Sequence, residues 1–239
     1  MFILILRNEK TQIIAHRGFW KTNPVTSENS IQALKNVQEL QVYGSEFDVQ
    51  MTKDAELIVF HDEWIDDLEI AETNFEDLKD LRLSNAENIP TFEDYLIQGQ
   101  KASNCKLIVE LKPCKTKELE DSMVKKALDL IQKYDLENQC EYISFSLNIC
   151  KEIKKEKPNF IVFYLNGDLN PQELKESGLD GFDYDFELLL ENLNWISEAQ
   201  NLGLKTNSWT VNDFEVFKKL TEARIDFITT NTPDIFLRS

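Results

Sequence analysis

Short apolar runs alternate along the chain with longer segments in which apolar residues recur every three or four positions. Ile13-Ile14-Ala15 is the first run, a buried strand by its composition, and Gly18 lets the chain turn sharply out of it. Ser27 to Ser30 then precede Ile31, Leu34, Val37 and Leu40, a spacing that predicts a helix followed closely by Gly44. There the pattern switches to alternation, so that Phe47 and Val49 face packing while Glu46 and Asp48 project side by side from the opposite face. The link from Thr52 to Glu56 is too short for a parallel crossover. Leu57 to Phe60 must therefore return antiparallel as a hairpin arm, which delivers His61 beside the carboxylate pair.

Asp62 to Lys101 is acidic and weakly patterned, with a helix predicted from Thr91 to Gln100 after Pro90, and reads as an excursion over the mouth of the fold. Lys106 to Lys112 is a strand whose end carries Glu110 and Lys112 on one face, and Pro113 stops further pairing. Helices are predicted over Lys117–Tyr134, Leu147–Glu156, Asn170–Ser177 and Leu188–Asn201, the last an amphipathic segment ending near Gly203. Between them lie strands at Tyr142–Phe145, Phe160–Leu165, Gly181–Asp185 and Lys205–Thr210. Val211-Asn212-Asp213 offers a cap for a helix through Leu220, Phe227–Thr230 is the closing strand, and Pro233 opens a last helical turn. Leaving out the hairpin arm, strands beginning near Ile13, Ser45, Lys106, Tyr142, Phe160, Gly181, Lys205 and Phe227 alternate with helices. This predicts an α/β fold, a closed parallel (β/α)8 TIM barrel, with the arm after its second strand. Residues 1–239 read as one domain, with an insertion at about 62–105.

Composition narrows the partners. A formal net charge of −17, with no Lys/Arg-rich block, argues against a nucleic-acid or anionic-membrane surface, and an anionic substrate would need local cations. Cys105, Cys114, Cys140 and Cys150 lack CxxC spacing, which predicts reduced thiols and a cytoplasmic protein. The apolar run Phe2–Leu6 has no preceding basic region and ends at Arg7, too short for a signal peptide, so Met1–Leu6 is expected as a short strand or plug under the barrel. No stretch is long and apolar enough for stable membrane insertion.

Barrels of this kind place chemistry at the C-terminal strand ends, where His16, Glu46, Asp48, Glu110 and Lys112 fall. Glu46, Asp48 and Glu110 offer oxygen ligands alone, which select Ca²⁺, Mg²⁺ or Mn²⁺ over zinc or copper, and Ca²⁺ or Mg²⁺ is the cofactor expected. Three uncompensated carboxylates would raise one another's pKa, so a metal or several basic side chains must neutralise them. His16 and His61 are the only histidines, and both land on this rim, which suits phosphoryl chemistry with one proton taken and one given. Arg17 and Lys112 are the cations placed to meet a phosphate, and Trp209 is a candidate apolar wall.

His16-Arg17-Gly18, Glu28-Asn29-Ser30, Glu46-x-Asp48, His61-Asp62 and Glu110-x-Lys112 together resemble the ordered motifs of the glycerophosphodiester phosphodiesterase family. Trp209-Thr210-Val211-Asn212 and Thr230-Asn231-Thr232-Pro233 continue the series, so the resemblance runs from about Ile13 to about Ile235. It implies hydrolysis of small glycerophosphodiesters to glycerol 3-phosphate and an alcohol, through attack by the neighbouring glycerol hydroxyl and a cyclic phosphate that water opens. It also implies His16 and His61 as the general acid/base pair, Glu46, Asp48 and Glu110 as metal ligands, and Arg17 and Lys112 as phosphate ligands. The chain departs from the family's usual residues at Asn231, where Asp is common, and at Ser30, where Thr is usual. Two alternatives share the barrel. A lysophospholipase D-like or sphingomyelinase D-like phosphodiesterase would be expected to show an exposed apolar or basic loop, and none is evident. A catalytically silent metal-binding barrel would have no physical need for both histidines.

Overall fold

The computed structural model describes residues 10–22 and 24–237, and the strand or plug expected at Met1–Leu6 lies outside them. Strand β1 (Gln12–Ala15) leads through a long loop to helix α1 (Ile31–Leu40), whose N-cap Ser30 accepts from the Ala33 amide. Strand β2 (Gly44–Met51) follows, and β3 (Leu57–Val59) pairs with it antiparallel, Val49 opposite Val59 and Met51 opposite Leu57, as the short link requires. Next come a small hairpin, β4 (Trp64–Ile65) and β5 (Leu68–Glu69), the short helix α2 (Phe75–Leu78), and α3 (Phe92–Gly99) with a Thr91/Asp94 capping box.

The remaining elements are β6 (Lys106–Leu111), α4 (Lys117–Lys133), β7 (Cys140–Ser144), α5 (Leu147–Glu156), β8 (Val162–Tyr164), α6 (Pro171–Glu176) and β9 (Gly181–Asp185). They are followed by α7 (Phe186–Glu191), α8 (Asn194–Asn201), β10 (Lys205–Trp209), α9 (Phe214–Glu222), β11 (Phe227–Thr230) and α10 (Pro233–Phe236). The parallel strands run in the order β10-β9-β8-β7-β6-β2-β1-β11, which makes a nearly closed barrel of eight strands. Between β10 and β11 side chains lace the seam. Asp226 accepts from the Thr206 amide and hydroxyl at 3.1 and 3.0 Å, and the Asn207 amide donates to Thr229 at 2.9 Å.

Alternation along each strand separates two cores. Outward residues such as Phe47, Val109, Tyr142 and Phe182 pack under the helices, whereas Ile14, Ile108, Ile143, Phe163, Leu165 and Phe227 fill the barrel interior. At Gly181 a Cβ would lie 2.2 Å from the Lys205 carbonyl oxygen, so the β9–β10 approach requires glycine.

Two expectations need correction. The excursion is shorter than about 62–105, because α3 lies in the outer helix layer, with Phe92 and Tyr95 against Phe47. The segment before α3 builds its own small core, Ile65, Ile70, Leu78, Leu83 and Ile89, on Ile58 of the arm. The single helix expected over Leu188–Asn201 is two, α7 and α8. The chain leaves helical geometry at Asn192 (φ −129°, ψ 48°), whose side chain donates to the Leu188 carbonyl. Leu189 and Ile196 are both buried and seven residues apart, so the apolar phase continues through a break that periodicity does not register.

Candidate active site

The strands deliver the side chains by parity. Glu46 and Asp48 point inward from β2, Glu110 from β6, His16 follows β1, and Asn231 follows β11. The turn after β1 is built for this place. Arg17 and Gly18 both have left-handed backbones (φ 55° and 80°), and a Cβ on Gly18 would stand 2.7 Å from that of Ala33. In that conformation the Arg17 amide donates to the Glu46 carboxylate at 2.8 Å and the Gly18 amide to the Glu46 carbonyl at 3.1 Å. Asn29, also left-handed (φ 57°), clamps Asp48. Its amide donates to the carboxylate at 2.8 Å, and its oxygen accepts from the Asp48 amide at 3.2 Å.

Glu46, Asp48 and Glu110 are 2 %, 1 % and 7 % exposed, and one oxygen of each lies within 4.8 Å of the others. Lys112 Nζ sits 2.7 Å from both Asp48 and Glu110, while Arg17 pairs with Glu28 at 3.0 Å and approaches Asp48 at 3.4 Å. Burial would raise the Asp48 pKa, but Lys112, Arg17 and the Asn29 amide outweigh it and hold the carboxyl at about 2. Glu110 is pushed up to about 7, by burial first and then by Asp48, against the opposing pull of Lys112. Glu46 is raised well above the ordinary range by burial and by both neighbouring acids. Two cations thus settle one acid of the three and leave the other two under-compensated. Glu46 Oε1 is buried and accepts no hydrogen bond. An orphaned carboxylate oxygen in a compact all-oxygen cluster is the donor set a hard divalent cation fits.

His16 Nδ1 is 2.8 Å from Asn231 Oδ1, and its Nε2 faces Glu46 Oε2 at 4.0 Å. An amide oxygen can only accept, so Nδ1 carries the proton and Nε2 presents its lone pair. Burial, then the Arg17 cation, bring His16 down to about 4, so the ring is neutral at pH 7. His61 Nδ1 is 2.7 Å from Asp62, and Gln50 holds the arm's end by donating to the carbonyls of Phe60 and His61 at 3.0 and 3.1 Å. Both rings line one cavity of about 120 Å³ with Arg17, Glu46, Glu110 and Lys112. Ile143, Phe145, Leu165 and Trp209 form its apolar side, and Trp209 meets Phe145 edge-on. Every residue singled out from the sequence therefore lies in or around this cavity, Asp48 through its neighbours. Sequence reasoning gave no role to Asn29, Gln50, Asp183 or Thr229. Asn29 stood inside a noticed motif; the others are single polar residues on strands, with no spacing signal.

Among the described residues no helix is long and apolar enough to cross a membrane, and all four cysteines carry free thiols. Comparison with known proteins agrees with the geometry. Residues 16–235 match the model of the glycerophosphoryl diester phosphodiesterase family. A glycerophosphodiester phosphodiesterase of Caldanaerobacter subterraneus subsp. tengcongensis is 28% identical over 95% of this chain and 97% of its own. The crystal structure of a glycerophosphodiester phosphodiesterase from Parabacteroides distasonis is 39% identical, covers 96% of each chain and superposes with a TM-score of 0.94. A phosphodiesterase of Oleispira antarctica, solved with its product sn-glycerol-3-phosphate, shares the fold at 21% identity, with a TM-score of 0.82 over 94% of each chain. With an interior acid cluster, converging histidines and a family match from His16 to Ile235, the chain is a phosphodiesterase of the glycerophosphoryl diester phosphodiesterase family.

Proposed function

We propose that the protein hydrolyses small glycerophosphodiesters to glycerol 3-phosphate and an alcohol, with Glu46, Asp48 and Glu110 holding one divalent cation, Ca²⁺ or Mg²⁺. The observation that carries the reading is the cluster itself, three buried carboxylates within 4.8 Å whose cavity is shared by the only two histidines of the chain. When bound, the cation supplies positive charge for the phosphate oxygens and the attacking hydroxyl. Glycerol 3-phosphate is the product in the Oleispira antarctica protein, and the relatives from Caldanaerobacter subterraneus and Parabacteroides distasonis are named for the same class of ester.

The side chains divide the remaining work. Lys112, anchored to Asp48 and Glu110, presents an ammonium to the phosphate next to the acid cluster, and Arg17 adds a second positive group on the cavity wall. His16, kept neutral with Nε2 free, takes the proton from the attacking hydroxyl, and Asn231 holds the ring in that tautomer. His61, steadied by Asp62, gives a proton to the departing alcohol oxygen, and with the two rings' roles reversed a water then opens the resulting cyclic phosphate to glycerol 3-phosphate. Trp209 covers the carbon skeleton of the substrate. We read residues 1–239 as one barrel domain working in the cytoplasm, where free thiols are stable, on a small-molecule substrate; a net charge of −17 repels nucleic acid. Turnover of glycerophosphocholine tests the histidines. His16→Ala and His61→Ala should each lower kcat by about 10²–10⁴, the double variant should lose little more, and metal binding should persist. Near wild-type rates in both folded single variants would contradict the assignment.

A further inference from the structure

The cavity also holds a carboxyl group that the chemistry above does not use. Asp183 projects inward from the middle of β9, is 1 % exposed and lines the cavity, and its Oδ1 has no hydrogen-bond partner. Asn207 bonds to the Asp183 carboxylate but leaves this oxygen unmet. Asn207, opposite it in register, donates to Thr229, and the Trp209 indole donates to the Asp183 backbone carbonyl. Among the described residues, Asp183 is not part of the acid group that could share a cation. A buried acceptor left unmet is destabilising, so packing alone gives no reason for an acid here.

The surroundings say what would meet it. The cavity is small, about 120 Å³, and combines cationic, acidic and apolar lining, as a short polar ligand carrying an anionic group requires. Lys112 follows β6 and Arg17 follows β1, Ile143, Phe145 and Leu165 come from β7 and β8 or just after them, and Asp183 comes from β9, beyond β7 and β8 in the strand order and within reach of the Glu110 charge. A ligand whose phosphate meets Lys112 and Arg17 would lay its carbons on the apolar wall and bring a terminal hydroxyl to Asp183. We propose that Asp183 is a substrate-binding residue that accepts a hydrogen bond from the terminal hydroxyl of the glycerol group. It thereby selects phosphodiesters with a free glycerol over those carrying an alkyl or acyl group in that place. The inference rests on the phosphodiesterase reading for its substrate class, and a binding measurement separates the two.

Calorimetric titration of the Mg²⁺-loaded protein with glycerol 3-phosphate and with propane-1,2-diol 1-phosphate, which lacks that hydroxyl, isolates the contact. The wild type should bind glycerol 3-phosphate about 10- to 100-fold more tightly, because the analogue leaves a buried acceptor unmet. Asp183→Leu should bring the two affinities together, and Asp183→Asn, which keeps the shape, should fall between them and unfold no lower in temperature than the wild type. Equal affinities in the wild type, no binding of either ligand, or full discrimination in Asp183→Asn would overturn the proposal. Turnover with glycerophosphocholine and its deoxy analogue then separates the two readings. Selective binding through Asp183 without any hydrolysis would sink the phosphodiesterase reading and leave the contact standing.

Discussion

Replacing Lys112 by Met removes the charge and keeps most of the stem, and the structure sets the size of the effect. Lys112 Nζ stands 2.7 Å from Asp48 and from Glu110. At an effective dielectric constant of about 20, each such contact is worth about 6 kcal/mol of gross attraction, most of it offset by the desolvation of three buried groups. Removing one partner from a buried ion pair costs about 3–5 kcal/mol net, which lowers the Tm of a chain this size by roughly 6–20 °C at about 2–4 °C per kcal/mol. The loss should depend on what else neutralises the acids. In EDTA the variant carries an uncompensated cluster and the full loss is seen; with saturating Ca²⁺ or Mg²⁺ a bound cation takes over the missing charge, and the loss shrinks. The pH dependence has a fixed sign. Without Lys112 the folded-state pKa values of Asp48, about 2, and of Glu110, already about 7, both rise, so the deficit is largest at high pH, shrinks as the pH falls through the raised values, and keeps its Asp48 part until the pH approaches about 2. Urea unfolding at pH 8 and pH 5, with EDTA and with metal, measures all four corners. Equal midpoints for variant and wild type in EDTA at pH 8, or a loss that ignores the metal, would refute the reasoning.

Further outcomes follow from the same geometry. Glu110, raised to about 7, must lose its proton to bind a cation, so metal affinity should weaken as the pH drops from 8 to 6, by up to about tenfold per unit per proton displaced. Isothermal titration at each pH reads this, and a pH-independent affinity would contradict it. Asn231→Ala should free the His16 ring and lower kcat by about 10- to 100-fold while leaving metal affinity unchanged, because Asn231 orients a ring outside the acid cluster; a fall in metal affinity would place Asn231 elsewhere. Gly181→Ala drives a Cβ into the Lys205 carbonyl and should cost about 1–3 kcal/mol, read as a lower urea midpoint.

The sequence carried the strand order and most of the rim because both are written in periodicity. Alternation put Glu46, Asp48, Glu110 and Lys112 on inward faces, and the short Thr52–Glu56 link forced the arm that brings His61 back. The helix break at Asn192 was hidden because Leu189 and Ile196 stay in phase across it. The place of α3 was hidden because a buried amphipathic helix reads alike in an insertion and in the outer layer. Asn29 and Asp183 act through geometry that depends on the closed barrel, one as a two-sided clamp on Asp48 and the other as an unmet acid facing a shared cavity. Even Arg17, expected as a phosphate ligand, is engaged by Glu28 and Asp48, and its backbone amide rather than its guanidinium holds Glu46.

The central claim, hydrolysis of glycerophosphodiesters by an acid-held cation and two histidines, is tested most directly by following glycerol 3-phosphate release from glycerophosphocholine with metal-stripped protein. A glycerol-3-phosphate dehydrogenase coupling reports the product during titration with Ca²⁺ or Mg²⁺. Stoichiometric glycerol 3-phosphate and choline, absent in EDTA and restored by the cation in the wild type but not in Glu46→Gln, is the predicted result. Undiminished release in excess EDTA, or no release at any metal concentration, would contradict it.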